Sequence, residues 1–153
     1  MQNVAMFLHL LGAFLFVAGI VLAGTAFEAA RRRSRAADVA LLLGLARVAV
    51  PLVAGGALLA GVFGLWLVHL GHWGYGSGWV DSAIALYAVA LALGARGGHR
   101  PRRARLLAAE LAQRDAAVDD ELRALLDDRG SRAANYGSAA VLLALVALMV
   151  FKP

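Results

Sequence analysis

Four long apolar stretches separate shorter polar segments along the chain. A transmembrane helix needs about 20 mostly apolar residues, and the chain meets or approaches that length at residues 4–26, 48–70, 80–96 and 135–151. The last two stretches are short, which predicts tilt or local thinning of the bilayer around them. The pattern therefore predicts an all-α, integral membrane four-helix bundle in which residues 1–153 form a single membrane domain.

The polar segment between the third and fourth stretches has the periodicity of an amphipathic helix over residues 101–128. Its apolar side chains fall close to one stripe, namely Leu107, Leu111, Val118, Leu122 and Leu125. One interpretation is a helix that lies on the inner face of the bundle. Another is contact with anionic lipid through its basic first part, which holds Arg100, Arg102, Arg103 and Arg105. The two interpretations are compatible, and both stay open.

Basic residues are distributed very unevenly between the predicted loops. The first loop holds Arg31, Arg32, Arg33, Arg35 and Arg47, and the third holds Arg96, Arg100, Arg102, Arg103, Arg105, Arg114, Arg123, Arg129 and Arg132. The second loop, residues 69–79, has neither Lys nor Arg. Cytoplasmic loops carry the excess of basic residues. Loops one and three, with the amphipathic helix, are therefore predicted to be cytoplasmic, and both termini are predicted to lie outside.

Composition supports the membrane class and excludes several kinds of site. The chain is 61% hydrophobic, and its mean hydropathy is +0.72, both above the usual values for soluble domains. It has no Cys, which excludes disulfides, thiolate metal sites, iron–sulfur clusters and c-type haem attachment. The net charge is +5, but no basic stretch is interleaved with aromatic residues, so we expect no nucleic-acid partner. The first eight residues lack Lys and Arg, which disfavours a cleavable signal.

Small residues recur at helical spacing in the first two spans. Span two carries Gly56, Ala60 and Gly64 four residues apart, and span one carries Gly12 and Gly19 one heptad apart. Small side chains allow two helix backbones to approach closely. We expect packing within the chain at these positions, and a homodimer contact is the alternative.

His9 is the candidate for chemistry, because ionisable side chains inside membrane spans are costly and commonly functional. With the N-terminus outside, it lies about 8 Å below the outer hydrocarbon boundary. Its imidazole could hydrogen-bond to a neighbouring helix, or it could be an axial ligand of haem b. His69 is the candidate for a second ligand, although it lies nearer the membrane edge, so single-histidine ligation is the simpler arrangement. His69 and His72 have no evident third partner, and we predict no metal-ion site.

Several features, taken in chain order, resemble the haem-binding, four-helix protoporphyrinogen oxidases of bacteria. They are Leu8-His9, Gly19, Pro51, the Phe63–Leu67 segment, Trp79, Tyr87, Asn135 and the tail Val150-Phe151-Lys152-Pro153. The resemblance implies that His9 ligates haem. Members of that family have a lysine four residues after the tryptophan of span three, and Ala83 occupies this position here. The resemblance implies oxidase activity as a further alternative, which the absence of this lysine disfavours, and it identifies no catalytic residue in this chain.

The C-terminal Met-Val-Phe-Lys-Pro sequence is also similar to the tail of the bacterial integral membrane proteins of domain-of-unknown-function family 2269. This resemblance implies a multi-pass protein of the bacterial inner (plasma) membrane. We expect either a protein that binds haem b or a porphyrin, in electron transfer or haem handling, or a non-catalytic structural or accessory subunit. The lipid bilayer is the expected partner, together with a membrane redox partner or further copies of the chain.

Overall fold

The computed structural model describes residues 2–71, 77–97 and 99–151. Within these ranges the chain forms six helices and no strand: α1 (Gln2–Arg31), α2 (Ala36–Leu70), α3 (Gly78–Gly97), α4 (His99–Gln113), α5 (Asp120–Leu126) and α6 (Arg129–Phe151). Four described segments are long and apolar enough to cross a membrane: α1, α2, α3 and the segment that ends with α6. The predicted all-α fold with four spanning helices is confirmed.

Glycines allow α1 and α2 to pack along each other at close range. A Cβ atom added to Gly12 would collide with the backbone nitrogen of Ala60, and one added to Gly56 would collide with that of Phe16. At Gly19, an added Cβ would lie 2.7 Å from a methyl group of Val53. The predicted packing of these small residues within the chain is therefore confirmed, and the structure shows that spans one and two are the partners.

A buried cluster joins all four spanning helices. It contains Phe16 of α1, Ala57 of α2, Ala90 of α3 and Leu142 of α6. Tyr87 of α3 packs edge-on against Phe16, with ring centroids 6.2 Å apart, and its hydroxyl donates a hydrogen bond to the carbonyl oxygen of Ala57. The α1–α2 pair is thereby held against the α3–α6 pair.

Many large apolar side chains on the spanning helices remain uncovered by the protein. Examples are Phe7 and Phe14 on α1, Leu58 on α2 and Leu143 on α6. A water-soluble monomer rarely exposes so much contiguous apolar surface. The lipid bilayer is the partner that covers these side chains.

A second core lies at the end of the bundle that carries the α1–α2 connection, α4 and α5, which we call the arginine end. Its buried residues come from four helices: Ala30, Val39, Leu43, Ala104, Ala108, Leu122 and Leu126. At 1.5 Å per residue, α1 and α2 are about 45 and 50 Å long, well beyond the ~30 Å hydrocarbon layer. Arg47 accordingly lies within α2 and not in a loop, because the first turns of α2 pack against α4 and α5.

The segment predicted as one helix over residues 101–128 is two helices separated by a turn. α4 ends at Gln113, and α5 begins after Asp119, whose side chain accepts a hydrogen bond from the Leu122 backbone N–H at 2.7 Å. Between them, Asp115 has a positive φ of 50°, and the backbone N–H of Val118 donates to the carbonyl of Ser34. The predicted apolar stripe is confirmed, since all five of its residues lie in or against the arginine-end core.

Arginine side chains fasten α5 to the end of α1. Arg31 donates to Asp127 at 2.7 Å and to Glu28 at 2.9 Å. Arg123 donates to the carbonyl oxygens of Arg31 and Arg33. The carbonyl of Arg31 ends α1 and that of Arg33 lies just beyond it, so neither has an intrahelical partner, and the guanidinium of Arg123 satisfies both.

Candidate functional site

The imidazole of His9 lies against a shallow notch in α2. Its Nδ1 atom is 2.9 Å from the carbonyl oxygen of Ala60. A Cβ atom added to Gly64 would lie 3.1 Å from both Cε1 and Nδ1 of the ring. The absence of a side chain at position 64 therefore provides the space in which the ring of His9 lies. The residue is half-buried in the protein.

This contact determines which ring nitrogen of His9 carries the proton. A backbone carbonyl oxygen only accepts hydrogen bonds, so a bond between it and Nδ1 requires a proton on Nδ1. In the neutral imidazole, Nε2 then holds the free lone pair. The carbonyl of Ala60 has two lone pairs, and it can accept from His9 as well as from the helical N–H four residues later. The site thus holds one oriented imidazole whose Nε2 is not the atom engaged by Ala60.

The structure does not bring His69 to the same face of α2. His69 is exposed, and it follows Gly64 by five residues, which corresponds to about 140° of rotation around a helix with 3.6 residues per turn. His9 approaches the face of Ala60 and Gly64, so the two imidazoles do not face a common space. His72 lies outside the described residues, and His99 begins α4 at the arginine end.

Tyr87 is a second polar side chain that approaches α2 close to His9, and the sequence pattern alone did not single it out as a contact. Its hydroxyl bonds to Ala57, and a Cβ atom added to Gly61 would lie 3.0 Å from that hydroxyl oxygen. A hydroxyl inside an apolar span needs a hydrogen-bond partner. The tyrosine within span three, together with the glycines of span two, was therefore the sequence feature that could have indicated this contact. Three residues of α2, Ala57, Ala60 and Gly61, thus meet polar groups from α1 and α3.

The four arginines predicted to contact lipid are in different environments. Arg102 and Arg103 are exposed, and Arg105 is half-buried. Arg103 donates to Glu121 at 2.8 Å. The side chain of Arg100 lies outside the described part of the chain. The apolar side of α4 is buried against the rest of the arginine-end core, so its basic side is the one that faces outward, and lipid contact there stays a prediction.

No group of three or more His, Asp or Glu side chains able to hold a metal ion occurs within residues 2–71, 77–97 and 99–151. Haem has a different requirement, since the porphyrin supplies four nitrogen ligands and the protein supplies one or two axial ligands. The structure thus places His9 against α2 with Nδ1 bonded to Ala60, and ligation of haem by His9 stays a prediction.

Comparison with known protein families identifies the family of the chain. The family model described as "Predicted integral membrane protein (DUF2269)" matches residues 3–153. The chain belongs to this family. Neither the curated proteins nor the solved structures contain a significant match. Family membership agrees with the four spanning helices and establishes an integral membrane protein, and it assigns no activity.

Proposed function

We propose that this chain is a haem b-binding membrane protein in which Nε2 of His9 is the axial ligand of the iron. One observation carries the proposal, namely the hydrogen bond between His9 Nδ1 and the carbonyl oxygen of Ala60. Histidines that ligate metals almost always donate the other ring N–H to a carbonyl, a carboxylate or water, which fixes the tautomer and the ring orientation. His9 has such a partner on a rigid helix.

The surroundings of His9 support the proposal in two ways. The residue lies in an apolar span, as a membrane haem ligand does. The side-chain-free position Gly64 leaves space for the imidazole against α2. A bound haem would supply one-electron redox chemistry, and the chain would contribute His9 as ligand and Ala60 as the group that orients it. This function corresponds to electron transfer or haem handling.

The same hydrogen bond favours a second candidate, a structural or accessory membrane subunit. In this case the bond between His9 and Ala60 simply ties α1 to α2, and bonds of this kind contribute about 0.6–1.7 kcal/mol in membrane proteins. Oxidase activity is disfavoured, because Ala83 is a buried methyl group at the position where the resembled enzymes have a lysine ammonium.

The arginine end is proposed to face the cytoplasm of a bacterial cell, with both termini outside. Support comes from the sequence and the fold together. All fourteen arginines follow the first span and precede the fourth, outside the second loop, and α4, α5 and the α1–α2 connection form one core at one end. The positive-inside rule places that end in the cytoplasm.

The absorption spectrum of the detergent-purified chain, expressed with ample haem supply, tests the cofactor. We expect a Soret band that His9→Ala abolishes and His99→Ala leaves intact, since His99 lies at the far end of the bundle. A haem-free protein under these conditions would contradict the proposal. The accessory-subunit function would then remain, and His9→Ala would lower thermal stability without any spectral change.

A further inference from the structure

An apolar groove on α3 ends at an arginine. Val89, Ala92, Leu93, Ala95 and Arg96 line a broad, open surface depression of about 610 Å³. Four of these positions, 89, 92, 93 and 96, have the spacing of one helix face. The groove is therefore a continuous strip along α3 and not a gap between distant segments.

The position of the groove in the membrane determines what can occupy it. The spanning segment of α3 is Gly78–Arg96, so the apolar part of the groove lies within the hydrocarbon layer and Arg96 lies at its boundary with the headgroups. From Val89 to Arg96 the strip extends about 10 Å at 1.5 Å per residue. One leaflet of the hydrocarbon layer is about 15 Å thick. The strip therefore matches the headgroup-proximal part of one acyl chain, with Arg96 at the level of the phosphate.

Arg96 has its charge available for an anion from outside the protein. Its side chain is exposed. The ion pairs of the described residues engage other arginines, namely Arg31, Arg32, Arg35, Arg103 and Arg114. No described carboxylate pairs with Arg96. A guanidinium at the headgroup level attracts anionic lipid and can bond a phosphate through several N–H groups.

We propose that this groove binds an anionic phospholipid, with an acyl chain against Val89, Ala92 and Leu93 and the phosphate on Arg96. The site differs from the basic side of α4, which offers charge without an apolar groove. It is also independent of His9 and of haem. The bound lipid would complete the surface of α3 next to α6, since a Cβ atom added to Gly137 of α6 would lie 3.7 Å from Cδ1 of Leu93.

Native mass spectrometry of the full chain, released from detergent with added phosphatidylglycerol or phosphatidylcholine, tests the site. Arg96→Gln removes the charge, and Ala92→Phe fills the groove while the charge stays. The matched controls are Arg114→Gln, an exposed cation outside the groove, and Ala144→Phe on an exposed face of α6. Equal thermal unfolding midpoints would verify that each variant folds.

We expect Arg96→Gln to weaken phosphatidylglycerol binding about fivefold, the effect of one charge near a membrane surface. Ala92→Phe should weaken it at least as much, and both controls should bind as the wild type does. Phosphatidylcholine carries the same phosphate, but its choline cation cancels the net charge, so it should bind more weakly and lose less than phosphatidylglycerol on Arg96→Gln. Equal losses for Arg96→Gln and Arg114→Gln, or no loss for either groove variant, would overturn the proposal. If Ala92→Phe fails to fold, the difference in phosphatidylglycerol binding between Arg96→Gln and Arg114→Gln tests the proposal.

Discussion

The Nδ1 atom of His9 on α1 lies 2.9 Å from the carbonyl oxygen of Ala60 on α2. This bond places an ionisable side chain of one span on the backbone of the next. It requires the two helices to be close, and small residues provide that closeness on both sides. The stability of the α1–α2 pair and the orientation of the His9 imidazole therefore depend on the same close contact between the two helices.

The adjacent glycines Gly55 and Gly56 of α2 give a matched test of the close contact between α1 and α2. Gly56→Ala would place its Cβ against the backbone of Phe16, whereas a Cβ at Gly55 meets nothing within 4 Å. We expect Gly56→Ala to destabilise the protein by about 1–3 kcal/mol, as overpacking does. Gly55→Ala should be neutral or slightly stabilising, because Ala favours helix. Unfolding of both variants in detergent measures the difference, and equal stabilities would argue against close packing at Gly56.

A larger side chain at position 64 tests the space around His9. Gly64→Leu should displace the imidazole, break the bond to Ala60 and lower the thermal unfolding midpoint. Leu58→Ala is the control, because Leu58 is 68% exposed on the spanning surface and its truncation leaves no cavity. A Leu58→Ala variant less stable than Gly64→Leu would contradict the arrangement of α1 on α2.

Arg123→Ala tests the attachment of α5 to α1. The substitution leaves the carbonyls of Arg31 and Arg33 without their partner, and we expect a loss of about 1–3 kcal/mol in the arginine-end core. Hydrogen exchange of the α5 amides should accelerate, while that of α3 stays unchanged. Arg129→Ala removes an exposed arginine and serves as the control. Unchanged exchange in α5 would show that Arg123 does not hold it.

Single cysteines test the orientation, and the chain has no native Cys to interfere. A membrane-impermeant thiol reagent added to intact cells should label Tyr75→Cys in the second loop. It should label Ser34→Cys and Arg114→Cys only after the membrane is permeabilised, because the arginine-rich segments are expected in the cytoplasm. Labelling of Ser34→Cys in intact cells, with Tyr75→Cys protected, would reverse the topology.

The sequence predicted the spans and the buried stripe because both depend on local periodicity. Leu107 and Leu122 belong to a pattern that any packed helix shows, and the structure buries or half-buries both. The break near Asp115 was not predicted. It depends on a positive φ and on backbone bonds with residues 34–36, about 80 positions away. The extension of α2 to Ala36 likewise depends on burial of Val39 and Leu43 by α4 and α5.

Only part of the candidate site could be predicted from the sequence. His9 was conspicuous as an imidazole in an apolar span, and Gly64 was conspicuous as a small residue. The acceptor is a main-chain carbonyl, however, and every residue has one, so the small-residue pattern that includes Ala60 does not indicate that its carbonyl would bind His9. The separation of His69 from His9 depends on which face of α2 meets His9, and that became clear only from the contacts of His9 with Ala60 and Gly64.

Chemical rescue of a His9→Gly variant tests the central proposal most directly, because it separates loss of a ligand from loss of the fold. The variant, purified from cells with ample haem supply, should lack the Soret band of the wild type. Added imidazole, placed in the vacated notch beside Ala60 and Gly64, should restore haem binding and the wild-type spectrum. A variant that keeps the Soret band unchanged, or a wild-type protein that never shows one, would contradict ligation by His9.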